Sequence, residues 1–80
     1  MLVLVVDDEP MVRMTYLALL SQMPEVTAVG AASVAEARAL ITAAPPHLVV
    51  LDLQLPDGTG LDVLAALDAA QNPFFLIVIS

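Results

Sequence analysis

Residues 48–51, Leu-Val-Val-Leu, form a wholly apolar run that follows Pro45 and Pro46 and stops at a carboxylate, Asp52. A run this short, with no polar residue inside it, reads as a strand covered on both faces. Residues 2–6, Leu-Val-Leu-Val-Val, repeat the pattern and stop at Asp7 and Asp8. Strands covered on both faces call for helices on both sides of a parallel sheet. In open sheets of that kind, ligands bind outside the carboxyl ends of the strands. With 2–6 and 48–52 side by side and parallel, Asp7, Asp8 and Asp52 meet at one rim.

The residues between these runs supply the helices. Pro10 opens a predicted helix that runs to about Met23, since a proline in the first turn removes an N–H that has no intrahelical partner. Val12, Tyr16, Leu19, Leu20 and Met23 recur at helical spacing and predict its buried stripe, and Pro24 ends it. Residues 26–31 read as a second strand. Ser33-Val34-Ala35-Glu36 has the form of a capping box and starts a helix through about Ala43, with Val34, Ala37, Leu40 and Ile41 inward. Residues 53–60 read as a loop with turn chemistry at Pro56-Asp57-Gly58. A third helix is expected over 61–70, with Leu61, Leu64, Ala65 and Leu67 inward and Thr59 available as its cap. Asn72-Pro73 breaks it, and 74–79 form a fourth strand ending at Ser80. The alternation βαβαβαβ with short connections implies right-handed crossovers and an α/β, open, doubly wound parallel sheet.

Eighty residues make one domain at most, and 60% of them are hydrophobic, so the chain is built to fold. No apolar run approaches the ~20 residues of a membrane helix. The start also lacks the basic region of a signal peptide, and the expected location is cytoplasmic. The absence of cysteine excludes disulfides, thiolate chemistry and zinc–sulfur sites. The net charge of −7, with Arg13 and Arg38 the only cations besides the N-terminus, leaves no basic footprint for direct nucleic-acid binding.

Three carboxylates at one rim repel one another. At an effective dielectric near 20, two charges ~4 Å apart cost roughly 4 kcal/mol. Either a proton or a hard divalent cation relieves that repulsion, and an all-oxygen site suits Mg²⁺ or Mn²⁺. A carboxylate beside such an ion is also a competent nucleophile toward phosphorus. Taken singly, each residue has an ordinary reading. Asp7 or Asp8 serves as a helix cap, Asp52 merely ends a strand, and Asp57-Gly58 is a plain turn. Glu9, Glu25, Asp62 and Asp68 read as surface or first-turn charge, and His47, at the strand's entrance, as a structural residue at the opposite rim. Two strands ending in Asp at the same edge favour a site.

Val5-Val6-Asp7-Asp8-Glu9-Pro10, Leu51-Asp52-Leu53 and Leu55-Pro56-Asp57-Gly58-Thr59-Gly60-Leu61 together resemble the receiver domain of two-component response regulators. The acidic pair, the Asp that follows the apolar run, the Pro four residues after it and the Gly eight after it agree in order and spacing. The resemblance runs from Leu2 to Ser80. It implies a flavodoxin-like sheet with strand order 2-1-3-4, and Asp52 as phosphoacceptor from a sensor histidine kinase. It also implies Mg²⁺ held by Asp8 and Asp52 directly, by Asp7 through water and by the backbone carbonyl of Gln54, with Ser80 as the hydroxyl that senses the phosphoryl group. The wording of the first helix and of LPDGTGLDVL suggests the citrate/C4-dicarboxylate-responsive branch. In that branch the receiver controls a helix-turn-helix, transcription-regulating output domain, which is not among these 80 residues. Receivers assist their own phosphorylation and dephosphorylation but are not enzymes in the ordinary sense.

The family's fourth helix, its fifth strand with a phosphate-pairing Lys, and its fifth helix have no counterpart in residues 1–80, and the chain holds no lysine. The run 74–79 then becomes an uncovered, uncharged edge strand, which predicts a piece of a longer protein or self-association through that edge. Two other readings remain. One is a Mg²⁺-dependent phosphohydrolase with an aspartyl nucleophile; such enzymes need a second Asp two residues after the nucleophile that ends the first strand, where Glu9 stands here. The other is a degenerate receiver that only binds a partner.

Overall fold

The computed structural model describes residues 1–79. Its centre is a parallel sheet in which β1 (Leu2–Val6) lies between β2 (Thr27–Ala31) and β3 (Leu48–Leu51), with β6 (Phe75–Val78) beyond β3. The order β2-β1-β3-β6 is the expected 2-1-3-4 order of the four long strands. Pairing is in register along each pair, with Val6 opposite both Ala31 and Leu51, and Leu51 opposite Val78.

Period-2 alternation splits the sheet's side chains into two cores. On one face Leu4, Val6, Val49 and Leu51 are buried under helices α2 (Val34–Ala43) and α3 (Gly60–Ala70) through Val34, Ala37, Ile41, Val63 and Leu67. On the other, Val3, Val5 and Val50 lie under α1 (Pro10–Leu20) through Tyr16, Leu17 and Leu20. Helices on both faces explain why the strands are apolar throughout.

Expectations for three segments are corrected. Helix α1 ends at Leu20, because the amides of Gln22 and Met23 turn back to the carbonyls of Leu19 and Leu20 at 3.3 and 3.1 Å in a tighter i→i+3 pattern. Its packing stripe is also rotated: Val12, Leu19 and Met23 are exposed, and Leu17 points inward instead. This helix is apolar nearly all round, so spacing alone does not choose a face. Gly30 on β2 chooses it, since a Cβ there would stand 2.9 Å from Leu17 Cδ1 and 3.2 Å from Arg13 Cδ.

Helix α3 starts one residue early, at Gly60, and buries Gly60, Val63 and Leu67, leaving Leu61 70% exposed and Ala65 outward. Gly60 sits against Leu53 Cα and the Leu51 side chain with no room for a Cβ, and that contact sets the helix's rotation. The 53–60 segment is not an open loop. It forms a hairpin of β4 (Gln54–Leu55) and β5 (Gly58–Thr59), antiparallel, with Pro56-Asp57 at its tip.

Both expected caps are present, although Glu36 reaches back past the N-cap to the Ala32 amide, so the 33–36 box is not closed on Ser33 itself. Ser33 Oγ accepts from the Glu36 amide at 3.1 Å, and Glu36 Oε1 accepts from the Ala32 amide at 3.0 Å. Thr59 Oγ1 accepts from the Leu61 amide at 3.2 Å while Asp62 Oδ2 accepts from the Thr59 amide at 3.0 Å, so Asp62 is half of a reciprocal cap rather than idle surface charge.

Candidate functional site

Backbone pairing places the acidic residues. Val6 and Leu51 are partners in the β1–β3 ladder, and the ladder continues one residue further through the Asp52 amide to the Val6 carbonyl at 2.9 Å. The Asp7 amide likewise donates to the Ala31 carbonyl at 3.0 Å. Asp7 and Asp52 therefore leave adjacent strands at the same level, on the carboxyl rim. Asp7 is 4% exposed and Asp52 9%, whereas Asp8 is exposed to solvent. One carboxylate oxygen from each of the three lies within 4.8 Å of the others.

The electrostatics follow from that crowding. Burial pushes the Asp7 carboxyl above its usual range, and the neighbouring carboxylates of Asp52 and Asp8 push the same way. The Glu9 amide, which donates to Asp7 Oδ1 at 2.9 Å, opposes the shift. Asp52 has one oxygen engaged, since the Gln54 amide donates to Oδ1 at 3.0 Å. This bond restrains the carboxylate, and its second oxygen accepts no protein hydrogen bond among the described residues.

Three crowded carboxylate oxygens, with the proton affinity of Asp7 raised first by burial and then by its charged neighbours, match the donor set of a hard divalent cation. Asp7, Asp8 and Asp52 are brought together as expected, and Gln54 is tied to Asp52 through its amide. Ser80 lies outside the described residues. His47 is at the opposite end of the sheet, where its Nδ1 accepts from the Leu2 amide at 3.0 Å and its own amide donates to the Leu2 carbonyl at 2.9 Å.

Two residues of this region escaped the sequence reading. Arg13 Nη1 donates to the Asp7 carbonyl at 2.9 Å, with its stem lying over Gly30. Asp57, taken as a turn residue, accepts from the Val34 and Ala35 amides with its two carboxylate oxygens. Both contacts join residues whose proximity exists only after the sheet has formed.

Comparison with known proteins agrees with this geometry. The response regulator receiver domain family matches residues 3–80. The chain is 48% identical over 62 residues to the DNA-binding transcriptional activator DevR/DosR of Mycobacterium tuberculosis, a match covering 76% of this chain and 29% of that protein. It is 41% identical over 76 residues to the sensory transduction protein LytT of Enterococcus faecalis, covering 94% of this chain and 31% of LytT. Among solved structures, the MaeR response regulator bound to beryllium trifluoride superposes with a TM-score of 0.82 at 29% identity, over 98% of this chain and 65% of that one. The chain thus spans about a third of the curated relatives and two thirds of the solved receiver. An acidic rim on a β2-β1-β3-β6 sheet and a family match across all but the first two residues place this chain in the response regulator receiver domain family.

Proposed function

We propose that Asp52 is the phosphoacceptor of this receiver and that Asp7, Asp8 and Asp52, with the Gln54 carbonyl, hold Mg²⁺ or Mn²⁺. The observation that carries the reading is the convergence of three carboxylates from adjacent strand ends, their oxygens within 4.8 Å. The Asp52 oxygen not held by the Gln54 amide forms the new O–P bond, the N–P bond of a kinase phosphohistidine breaks, and the imidazole leaves with its electron pair and takes a proton from solvent. The bound cation supplies neutralisation of the phosphoryl oxygens. Asp7 and Asp8 contribute the remaining negative charge that draws that ion to the rim, and the Glu9 amide orients Asp7.

The partners that fit are a sensor histidine kinase and an output domain. Transcriptional control is supported by the similarity to DevR/DosR, which is named as a DNA-binding activator. The citrate/C4-dicarboxylate branch rests on the wording of the first helix and of LPDGTGLDVL. Ser80, next in sequence after Ile79, is assigned the phosphoryl-sensing hydroxyl on the resemblance. We read residues 1–80 as the receiver portion of the fold through its fourth long strand, without the fourth helix, fifth strand and fifth helix. Self-association of this chain through the 74–79 edge is supported by β6, which pairs with β3 on one side and is exposed at all four residues, with Phe75 79% exposed. Among the described residues no helix is long and apolar enough to cross a membrane.

The test is incubation with Mg²⁺ and a small phosphodonor, followed by mass spectrometry. An acid-stable, base-labile phosphoryl adduct that is lost in Asp52→Asn is expected. Multiple turnover of a phosphate ester would instead favour the phosphohydrolase. Absence of any adduct with Mg²⁺ binding intact would leave only a binding role.

A further inference from the structure

At the N-terminus of α2 the segment that follows Asp52 reaches across to a different helix. Asp57, at the tip of the β4–β5 hairpin, accepts from the Val34 amide with Oδ1 at 2.7 Å and from the Ala35 amide with Oδ2 at 3.0 Å. These bonds span 23 and 22 residues of sequence. Of the amides that follow, Glu36 donates to Ser33 Oγ, and Ala37 makes the first regular helical bond, to the Ser33 carbonyl. Asp57 thus uses both oxygens on amides that no residue of α2 satisfies. Its neighbour Gly58 lies against Val34 Cγ2 and the Asp62 carboxylate, so the hairpin tip is seated on α2 and α3 together.

The hairpin in turn is fastened to the acidic rim. Gln54 pairs with Thr59, the Gly60 amide donates to the Leu53 carbonyl at 2.8 Å, and the Gln54 amide donates to Asp52 Oδ1 at 3.0 Å. The continuous path is α2 N-terminus, Asp57, hairpin, Gln54, Asp52. We propose that Asp57 is a positioning residue that anchors the 53–59 hairpin to α2 and so fixes Gln54 and Asp52 for cation binding and phosphoryl acceptance. The proposal rests on the phosphoacceptor reading above. Its physical basis is that residues orienting a site's ligands influence affinity without touching the ligand, as hydrogen-bonded outer partners do in metal sites. The two amides and the Arg38 charge also hold the Asp57 carboxyl below its usual range, as an anchored carboxylate requires.

A simple helix cap would produce the same two hydrogen bonds, and Ser33 separates the cases, because its hydroxyl caps α2 through the Glu36 amide, a bond within that helix's own first turn. The experiment uses the full-length protein as wild type, Asp57→Ala, Asp57→Asn and Ser33→Ala. Two quantities are measured: amide hydrogen exchange at Gln54 and Gly60 in metal-free buffer, and Mg²⁺ affinity by calorimetry. Asp57→Ala is expected to speed exchange at both amides and weaken Mg²⁺ binding roughly tenfold. Asp57→Asn, which keeps one acceptor oxygen and folds under milder perturbation, should fall between Asp57→Ala and wild type, and Ser33→Ala should match wild type in both. Equal exchange in Asp57→Ala and wild type, or equal losses in Ser33→Ala, overturns the proposal. Failure of the wild type to bind Mg²⁺ overturns the phosphoacceptor reading instead, and the exchange data still decide whether Asp57 anchors the hairpin.

Discussion

Replacing Asp52 with asparagine removes one charge from the acidic rim while keeping an oxygen to accept from the Gln54 amide at 3.0 Å. Each carboxylate pair in the cluster lies within 4.8 Å, and at an effective dielectric near 20 a pair at that separation repels by about 3.5 kcal/mol. Water at the open rim screens the exposed Asp8, and the raised proton affinity of Asp7 lets a proton relieve part of the rest. The net relief on losing one charge is therefore about 1–2 kcal/mol. In EDTA, Asp52→Asn is expected to be more stable than wild type by that amount, read from urea unfolding followed by circular dichroism at one fixed protein concentration. In Mg²⁺ at ten times its dissociation constant, the wild type should gain about 1.4 kcal/mol by mass action. The variant should gain far less, so that its advantage shrinks or reverses. A variant less stable than wild type in EDTA would refute the view that the three carboxylates strain the metal-free fold.

Three further outcomes follow from the same structure. Gly60→Ala should destabilise by about 1–3 kcal/mol through overpacking against Leu53 Cα and the Leu51 side chain, measured as a fall in the urea midpoint; an unchanged midpoint would mean that the contact relaxes freely. The Asp57 carboxyl is held below its unfolded value, so the folded state binds fewer protons there and the stabilisation is present above about pH 4. That stabilisation is lost as pH falls through the depressed folded value, so the stability gap between wild type and Asp57→Asn should narrow on acidification below pH 4, and a constant gap would contradict the assignment. Ile77→Lys places a charge in the middle of the exposed edge strand, at a position paired with Val50, and should lower the concentration-dependent sedimentation of the chain; unchanged sedimentation would move any association surface elsewhere.

What the sequence determined by itself is local or periodic. Apolar runs ending in Asp7 and Asp52 named both the strands and the rim, because a parallel sheet in register carries residues at equivalent strand ends to the same level. The Ser33–Glu36 cap was legible because its partners lie within one helical turn. Tertiary structure alone decided the rest. Helix α1 is apolar on several sides, so its buried face was chosen by the missing Cβ of Gly30 on another strand. The rotation of α3 was set by Gly60 against Leu53, an approach that turn propensity does not encode. Asp57 read as a turn residue because its two partners stand 22 and 23 residues away, and Arg13 reached the Asp7 carbonyl only once α1 lay on the sheet. Periodicity and capping act over a few residues along the chain, whereas the contacts that orient the acidic rim act through space, between segments that only the packed sheet brings together.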